Sequence, residues 1–287
     1  MADFTDNVLR EAEVIARKSG TADCLRKLRQ LSLEQFGELM ISLPRTDYAS
    51  LSSVLPRMAS AEVQRSWTGS DGANLLAQTN AFVRMVSENF ASISGRSLSG
   101  KRILDFGCGY GRILRSMLYF SDPADLYGCD PWDRSIDLCK HDGLTVNLAL
   151  SEYLPTHLPF TARFDLIYAL SVFTHLSQRA TRQCLDTLHG YIGENGVLVI
   201  TVRPVEYWAA DPNASQAERE QLVLQHNQNG FAFRPHERAA VDGDITYGDT
   251  SMTIPYLAEN FDWLEIAKVE HTPADPYQII IFLRSKR

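Results

Sequence analysis

Nowhere in the 287 residues do apolar side chains run for the roughly 18 positions that a membrane helix needs. Cysteine is scarce. Cys24, Cys108, Cys129, Cys139 and Cys184 form an odd, scattered set without a C-x-x-C pair, which argues against a disulfide framework or a zinc site and suits reduced thiols. Clusters of positive charge are missing as well: no Lys/Arg run exceeds two residues, and the net charge is −7. Proteins that act on nucleic acid draw much of their affinity from neutralised phosphates. The charge therefore points away from nucleic acid and toward a small-molecule partner. The opening MADFTDNVLREAEVIARK is charged and has no apolar h-region, so the expected location is the cytoplasm. No internal repeat or low-complexity segment is visible.

What is present changes character along the chain. In VLREAEVIARK the apolar residues Val8, Leu9, Ala12, Ile15 and Ala16 recur at helical spacing. Ser32-Leu33-Glu34-Gln35 reads as a capping box opening a helix that stops before Pro44, and Asp71 to Phe90 repeats the helical pattern. The connector SISGRSLSG marks a boundary, giving a helical N-terminal extension over 1–95, read as a cap or a dimer surface. Beyond it, over 96–287, β-rich runs alternate with helical ones: RILDFG and GRILRSMLYF, DLYGCD and RSIDLCKHDG, LTVNLAL, FDLIYALS and QRATRQCLDTLHGYI, then GVLVITV. That alternation predicts an α/β fold, a Rossmann-like doubly wound sheet. DWLEIAKVEHT and YQIIIFLRS, joined by PADP, predict a C-terminal antiparallel hairpin at a sheet edge. The polar stretch 204–247 is too long for an ordinary connection and is expected to be a lid over a substrate.

The first strand runs into ILDFGCGYGR. Gly107, Gly109 and Gly111 allow positive φ and close approach of a ligand to the main chain, and the helix that follows favours an anionic group. The spacing is G-x-G-x-G, with Arg112 where a dinucleotide fold would place its third glycine, and the G-K-[ST] of a phosphate loop is absent. Asp105 would repel a pyrophosphate and welcome an ammonium. A ligand carrying both a carboxylate and an amino group fits, and the methionyl end of S-adenosyl-L-methionine has both. Asp130 closes the second strand 25 residues after Asp105, where a ribose diol is gripped, and Pro131 and Trp132 follow as a flat wall for adenine.

These segments resemble the class I S-adenosylmethionine-dependent methyltransferases over about residues 100 to 287. ILDFGCGYGR resembles that family's first motif and GCDPW its second; FDLIYALSVFTHLS resembles the fourth-strand motif and NGVLVITV the fifth strand. ALSVFTHLS and YGDTSMTIPYL resemble a bacterial branch associated with methylation of glycans or other small molecules. The resemblance implies that Asp105, Gly107 and Gly109 meet the methionyl end; Cys108, read as a small filler beside the turn, and Gly111 are counted with the same cofactor-binding segment. It implies Asp130 on the ribose, Trp132 beside adenine, and Leu170 and Ser171 near the reacting sulfur. The third strand ends in Ser151-Glu152-Tyr153 where the family often has an aspartate, so Glu152 is the expected substitute on the adenine amino group.

His175, at the end of the fourth strand, is the expected base for a hydroxyl acceptor; an amine acceptor would need none. Trp67, in SWTGSDG, and Tyr247 are expected to touch the acceptor, while His226 and His236 read as solvated. No N-P-P-Y follows the fourth strand; Ala169-Leu170-Ser171-Val172 stands there, which again argues against a nucleic-acid base. The function expected is oxygen methylation of a small polar molecule or sugar unit. Two rivals stay open: a cofactor-binding partner subunit without turnover, and another S-adenosyl-cofactor transferase.

Overall fold

Six helices occupy the segment in which helical spacing dominates. The computed structural model describes residues 2–272 and 275–286, and forms two compact units, Met1–Leu150 and Ser151–Arg287. In the first unit α1 (Ala2–Ser19) and α2 (Thr21–Leu28) are separated at Gly20. The expected capping box opens α3 (Leu33–Ser42), with Ser32 Oγ accepting from the Gln35 amide and the Gln35 side chain accepting from the Ser32 amide. α4 (Ala49–Val54), α5 (Ala61–Thr68) and α6 (Gly72–Ser94) follow.

Next come β1 (Ile103–Phe106), α7 (Arg112–Met117), β2 (Leu126–Asp130), α8 (Asp133–His141) and β3 (Asn147–Leu150). These strands are parallel in the order β3-β2-β1, with Phe106 level with Cys129 and Asp130 level with Leu150. All four residues of β1 are buried, so its apolar run is continuous rather than alternating, as a strand covered on both faces requires. The composition shift near residue 95 marks a change of secondary structure, not an edge of packing. The Tyr119 hydroxyl donates to the Leu31 carbonyl at 2.9 Å, and the Arg29 guanidinium donates to the Leu118 carbonyl.

In the second unit β4 (Phe164–Ala169), α9 (Gln178–His189) and β5 (Ile192–Val202) make a parallel βαβ turn of the chain. The stretch expected as a lid is folded: α10 (Tyr207–Ala210), α11 (Gln216–Asn229) and β6 (Phe231–Pro235) lie within it. Trp208, Leu222 and Ala232 form its small core. β7 (Gly248–Met252) pairs antiparallel with β6, and α12 (Ile254–Asn260) follows. β8 (Leu264–His271) and β9 (Ile279–Ser285) form the expected antiparallel hairpin, adding strands in the order β4-β5-β9-β8. Within the turn read from PADP, Pro273 and Ala274 lie outside the described residues. The architecture is a Rossmann-like α/β fold with N-terminal helices and a C-terminal hairpin. Among the described residues no helix is long and apolar enough to cross a membrane.

Candidate active site

The first group of candidate residues gathers where β1 gives way to α7. Gly107, Gly109 and Gly111 all have positive φ, so the turn has the backbone that its glycines permit. Its own amides are largely engaged in holding it: Gly107 and Cys108 both donate to the Cys129 carbonyl, Gly111 donates to the Cys108 carbonyl, and Gly109 donates to Asp130 Oδ2 at 2.9 Å. α7, which follows the turn, is a helix of six residues. Asp105 is buried at the strand end.

Asp130 braces this turn against the next helix. Its Oδ1 accepts from the Trp132 amide and from Ser135 Oγ, both at 2.9 Å, while Oδ2 accepts from Gly109. Burial raises its pKa and these hydrogen bonds oppose the rise. By lone-pair count Oδ2 can accept one more hydrogen bond. Cys108 and Cys139 both direct their sulfurs at the Gly109 carbonyl. The hydrogen bond to Cys139, burial and nearby Asp105 hold the Cys108 thiol well above the ordinary range, consistent with a filler and not a nucleophile. Pro131 is half-buried, and Trp132 is 43% exposed at the start of α8.

Trp67 joins this group. Its ring stacks on Trp132 at 5.0 Å between centroids and 14° between planes, and meets Tyr110 edge-on. A Cβ built on Gly109 would touch it at 3.5 Å, an ordinary contact.

Whether these residues suit an S-adenosyl cofactor can be judged from the turn itself. The space over Gly109 is bounded by aromatic rings and an acid stands at each strand end, while the Arg115 guanidinium that reaches the turn donates to the Tyr110 carbonyl. That set suits an amino acid and a nucleoside better than a pyrophosphate.

The second group lies after β4 and along β7. Ser171 takes φ of +57°, sparsely populated for a residue with a side chain, and is pinned there: its amide donates to Thr201 Oγ1 at 2.7 Å and its hydroxyl to Gln278 Oε1. Leu170 precedes it, half-buried. His175 Nδ1 lies 2.8 Å from the Gly248 carbonyl. A carbonyl only accepts, so Nδ1 carries the proton and Nε2 holds the lone pair. Arg203 Nη2 is 3.4 Å from that Nε2. Burial, with the Arg203 charge second, lowers the His175 pKa to about 4. Tyr247 stacks on the imidazole at 5.1 Å and 7°.

Around these rings sits a charged network absent from the expectations. Asp249 is buried and accepts from Arg203 Nη1, Tyr207 Oη, Arg234 Nη2 and His236 Nε2. Burial alone would raise its carboxyl; the donors, His236 and Arg203 foremost, outweigh it and hold the group well below the usual range. Arg234 also pairs with Asp211, which is fully buried. His236 is thus hydrogen-bonded to Asp249 and not merely solvated. His226 is a plainer correction: it is buried, with Nδ1 2.7 Å from Ser251 Oγ, which also accepts from Trp208 Nε1. Arg203 was findable, because it follows β5 directly at the strand end where such folds place chemistry. Asp249 was not, because GDTSM reads as exposed yet all five residues are buried. Glu152 is exposed.

Residues 103–196 match a family model described as a methyltransferase domain. Among solved structures, an S-adenosylmethionine-dependent methyltransferase from Clostridium acetobutylicum is similar at 11% identity and a TM-score of 0.52, over 78% of this chain and 97% of that one. A magnesium protoporphyrin IX methyltransferase from Synechocystis is similar at 13% identity and a TM-score of 0.45, over 77% and 91%. No curated protein matches the chain. The matched segment holds the glycine turn, Asp130 and His175, so this part of the chain is similar to a methyltransferase domain, and the fold around it is similar to that of an S-adenosylmethionine-dependent methyltransferase.

Proposed function

We propose that the chain methylates a hydroxyl oxygen of a small polar molecule or sugar unit, acting in the cytoplasm. Free, buried cysteines are in keeping with that compartment. In this reading Asp105, Gly107, Cys108, Gly109 and Gly111 hold the methionyl end of the cofactor. Asp130 takes the ribose through its remaining acceptor position, Pro131 and Trp132 flank the adenine, and Glu152 meets its amino group. Leu170 and the strained Ser171 line the reacting end, and Tyr247 and the insert 204–247 serve the acceptor.

S-adenosylmethionine, when bound, supplies a methyl group made electrophilic by its sulfonium. The residues then orient the acceptor and exclude water; orientation of this kind accounts for about 7–11 kcal/mol of a barrier. A hydroxyl becomes far more acidic as its oxygen is alkylated, so even a weak base suffices to take its proton. His175 has that character. Its tautomer is fixed by Gly248, and its Nε2 is unprotonated at neutral pH.

This fixed tautomer is the observation that carries the oxygen-methylation reading. The test is incubation with methyl-labelled cofactor and a metabolite and glycan extract, followed by identification of the labelled atom. His175→Ala should keep cofactor affinity by calorimetry and lose on the order of 10²–10⁴ in turnover. Undiminished turnover would strip His175 of the role. Label on nitrogen would reject the hydroxyl acceptor, and cofactor binding with no transfer would favour a partner subunit without chemistry. Asp130→Ala should weaken the affinity about 10- to 100-fold.

A further inference from the structure

Arg203 and Arg238 are held by the same device and differ in how it is completed. The Arg203 guanidinium lies over the Tyr207 ring at 4.0 Å, and its Nη1 donates to Asp249 Oδ1. The Arg238 guanidinium lies over the Tyr247 ring at 4.1 Å, and among the described residues it has no hydrogen bond and no carboxylate partner. The acids of this region are engaged elsewhere. Asp249 takes two donors on each oxygen, Arg203 and Tyr207 on Oδ1 and Arg234 and His236 on Oδ2, which fills the capacity of a carboxylate. Asp244 Oδ2 accepts from Ser177 Oγ, and Asp242 pairs with Arg179. Glu237, next in the chain, is exposed and forms no ion pair with Arg238.

An exposed arginine is ordinarily solvated and mobile, but Arg238 stands on a braced segment between β6 and β7. The His236 amide donates to the Tyr247 carbonyl at 3.1 Å, and Val241 and Asp244 exchange amide–carbonyl bonds at 2.8 and 3.0 Å. Tyr247, which carries Arg238, also stacks on His175. The cation and the imidazole therefore lie against one ring, a separation on the scale of a single sugar. Contact with a ring leaves the N–H donors of a guanidinium unused. The chain as a whole has a net charge of −7, which repels an anion at a distance. An anion that does bind has to be met by a local cation, and Arg238 is placed to be that cation.

We propose that the acceptor is anionic: a carboxylate or phosphate on it pairs with Arg238 while its hydroxyl lies at His175. This rests on the methyl-transfer reading above, whose acceptor it narrows to one charge class. Two parallel N–H···O bonds from a guanidinium match two oxygens of either group and fix orientation as well as affinity. Arg238 accordingly selects the acceptor and takes no part in moving its proton.

The test incubates the full chain with methyl-labelled S-adenosylmethionine and a metabolite extract divided on an anion-exchange column at neutral pH. Label should enter the retained fraction. Label confined to the unretained fraction would overturn the proposal, and label in neither would reject the methyl-transfer reading itself and the proposal with it. Phosphatase treatment of the retained fraction separates the two sources of charge: loss of labelling identifies a phosphate, and persistence a carboxylate. With the acceptor purified, Arg238→Gln should raise its KM about tenfold at unchanged kcat, the loss of one charge-assisted hydrogen bond. Arg238→Lys should recover part of that loss. Both variants should bind S-adenosylhomocysteine with wild-type affinity by calorimetry and melt at the wild-type temperature, because the side chain is exposed. A wild-type acceptor KM in Arg238→Gln would overturn the assignment.

Discussion

A methyl group added to Gly111 would meet Leu144 Cδ2 at 2.6 Å, Cys139 Sγ at 2.9 Å and Arg115 Nη1 at 3.0 Å, whereas one added to Gly109 meets only the Trp67 ring at 3.5 Å. The two glycines therefore have different jobs. Gly109→Ala should cost about 1–2 kcal/mol for its left-handed backbone. Gly111→Ala should add about 1–3 kcal/mol of overpacking. Urea denaturation of both variants checks this, and equal losses would mean that the neighbours of Gly111 yield. Single residues also set the pH response. His175 has its pKa lowered from 6.5 to about 4, so the unfolded chain takes up the proton first, and stability declines as the pH falls from about 6.5 through about 4. Asp249, held below the usual carboxylate range, adds stability above that range that is lost on further acidification. Both act in the same direction. A rate profile should accordingly keep its acid limb near pH 4; a limb near 6.5 would show that His175 titrates as a solvated imidazole.

At the scale of elements, β7 has the most instructive chemistry. Its residues are polar and its environment is not, so each side chain needs a named partner: Thr250 Oγ1 donates to the Leu176 carbonyl, Ser251 serves Trp208 and His226, and Asp249 serves Arg203 and Arg234. Asp249→Asn removes the charge that both arginines share, and breaking a buried pair of this kind costs about 3–5 kcal/mol, visible as a lowered melting temperature. A loss below about 1 kcal/mol would mean that water or Asp211 replaces the carboxylate. This strand also shows where sequence reading stops. Ser32 and its box, the parallel order of the β-rich runs and the terminal hairpin rest on local periodicity and turn chemistry, which a sequence displays. β7 is held by groups as near along the chain as His236 and as far as Thr174, and no local pattern encodes those partners. The insert was half legible. Ser215 and Glu218 form a capping box that opens α11, and Gly230 ends it, yet the polarity of the exposed helix face hid the element.

For the molecule as a whole, the glycine turn, both strand-end acids and the Pro131-Trp132 step after β2 could be placed before any coordinate, because their order along the chain follows the order of strands. The tie between the N-terminal helices and that turn could not be named. It runs through Arg115, fully buried, whose Nε donates to the Arg57 carbonyl at 2.7 Å and whose Nη1 donates to the Tyr110 carbonyl. A protein begun at residue 96 should consequently fail to melt cooperatively and should bind a hydrophobic dye; a sharp, dye-free transition would show the helices to be dispensable. The same guanidinium limits what an engineer can transplant. Grafting residues 103–196 into another scaffold would seal a permanent cation away from water without the Arg57 carbonyl that answers it, so this segment and its helical preface have to be cloned, swapped and evolved together.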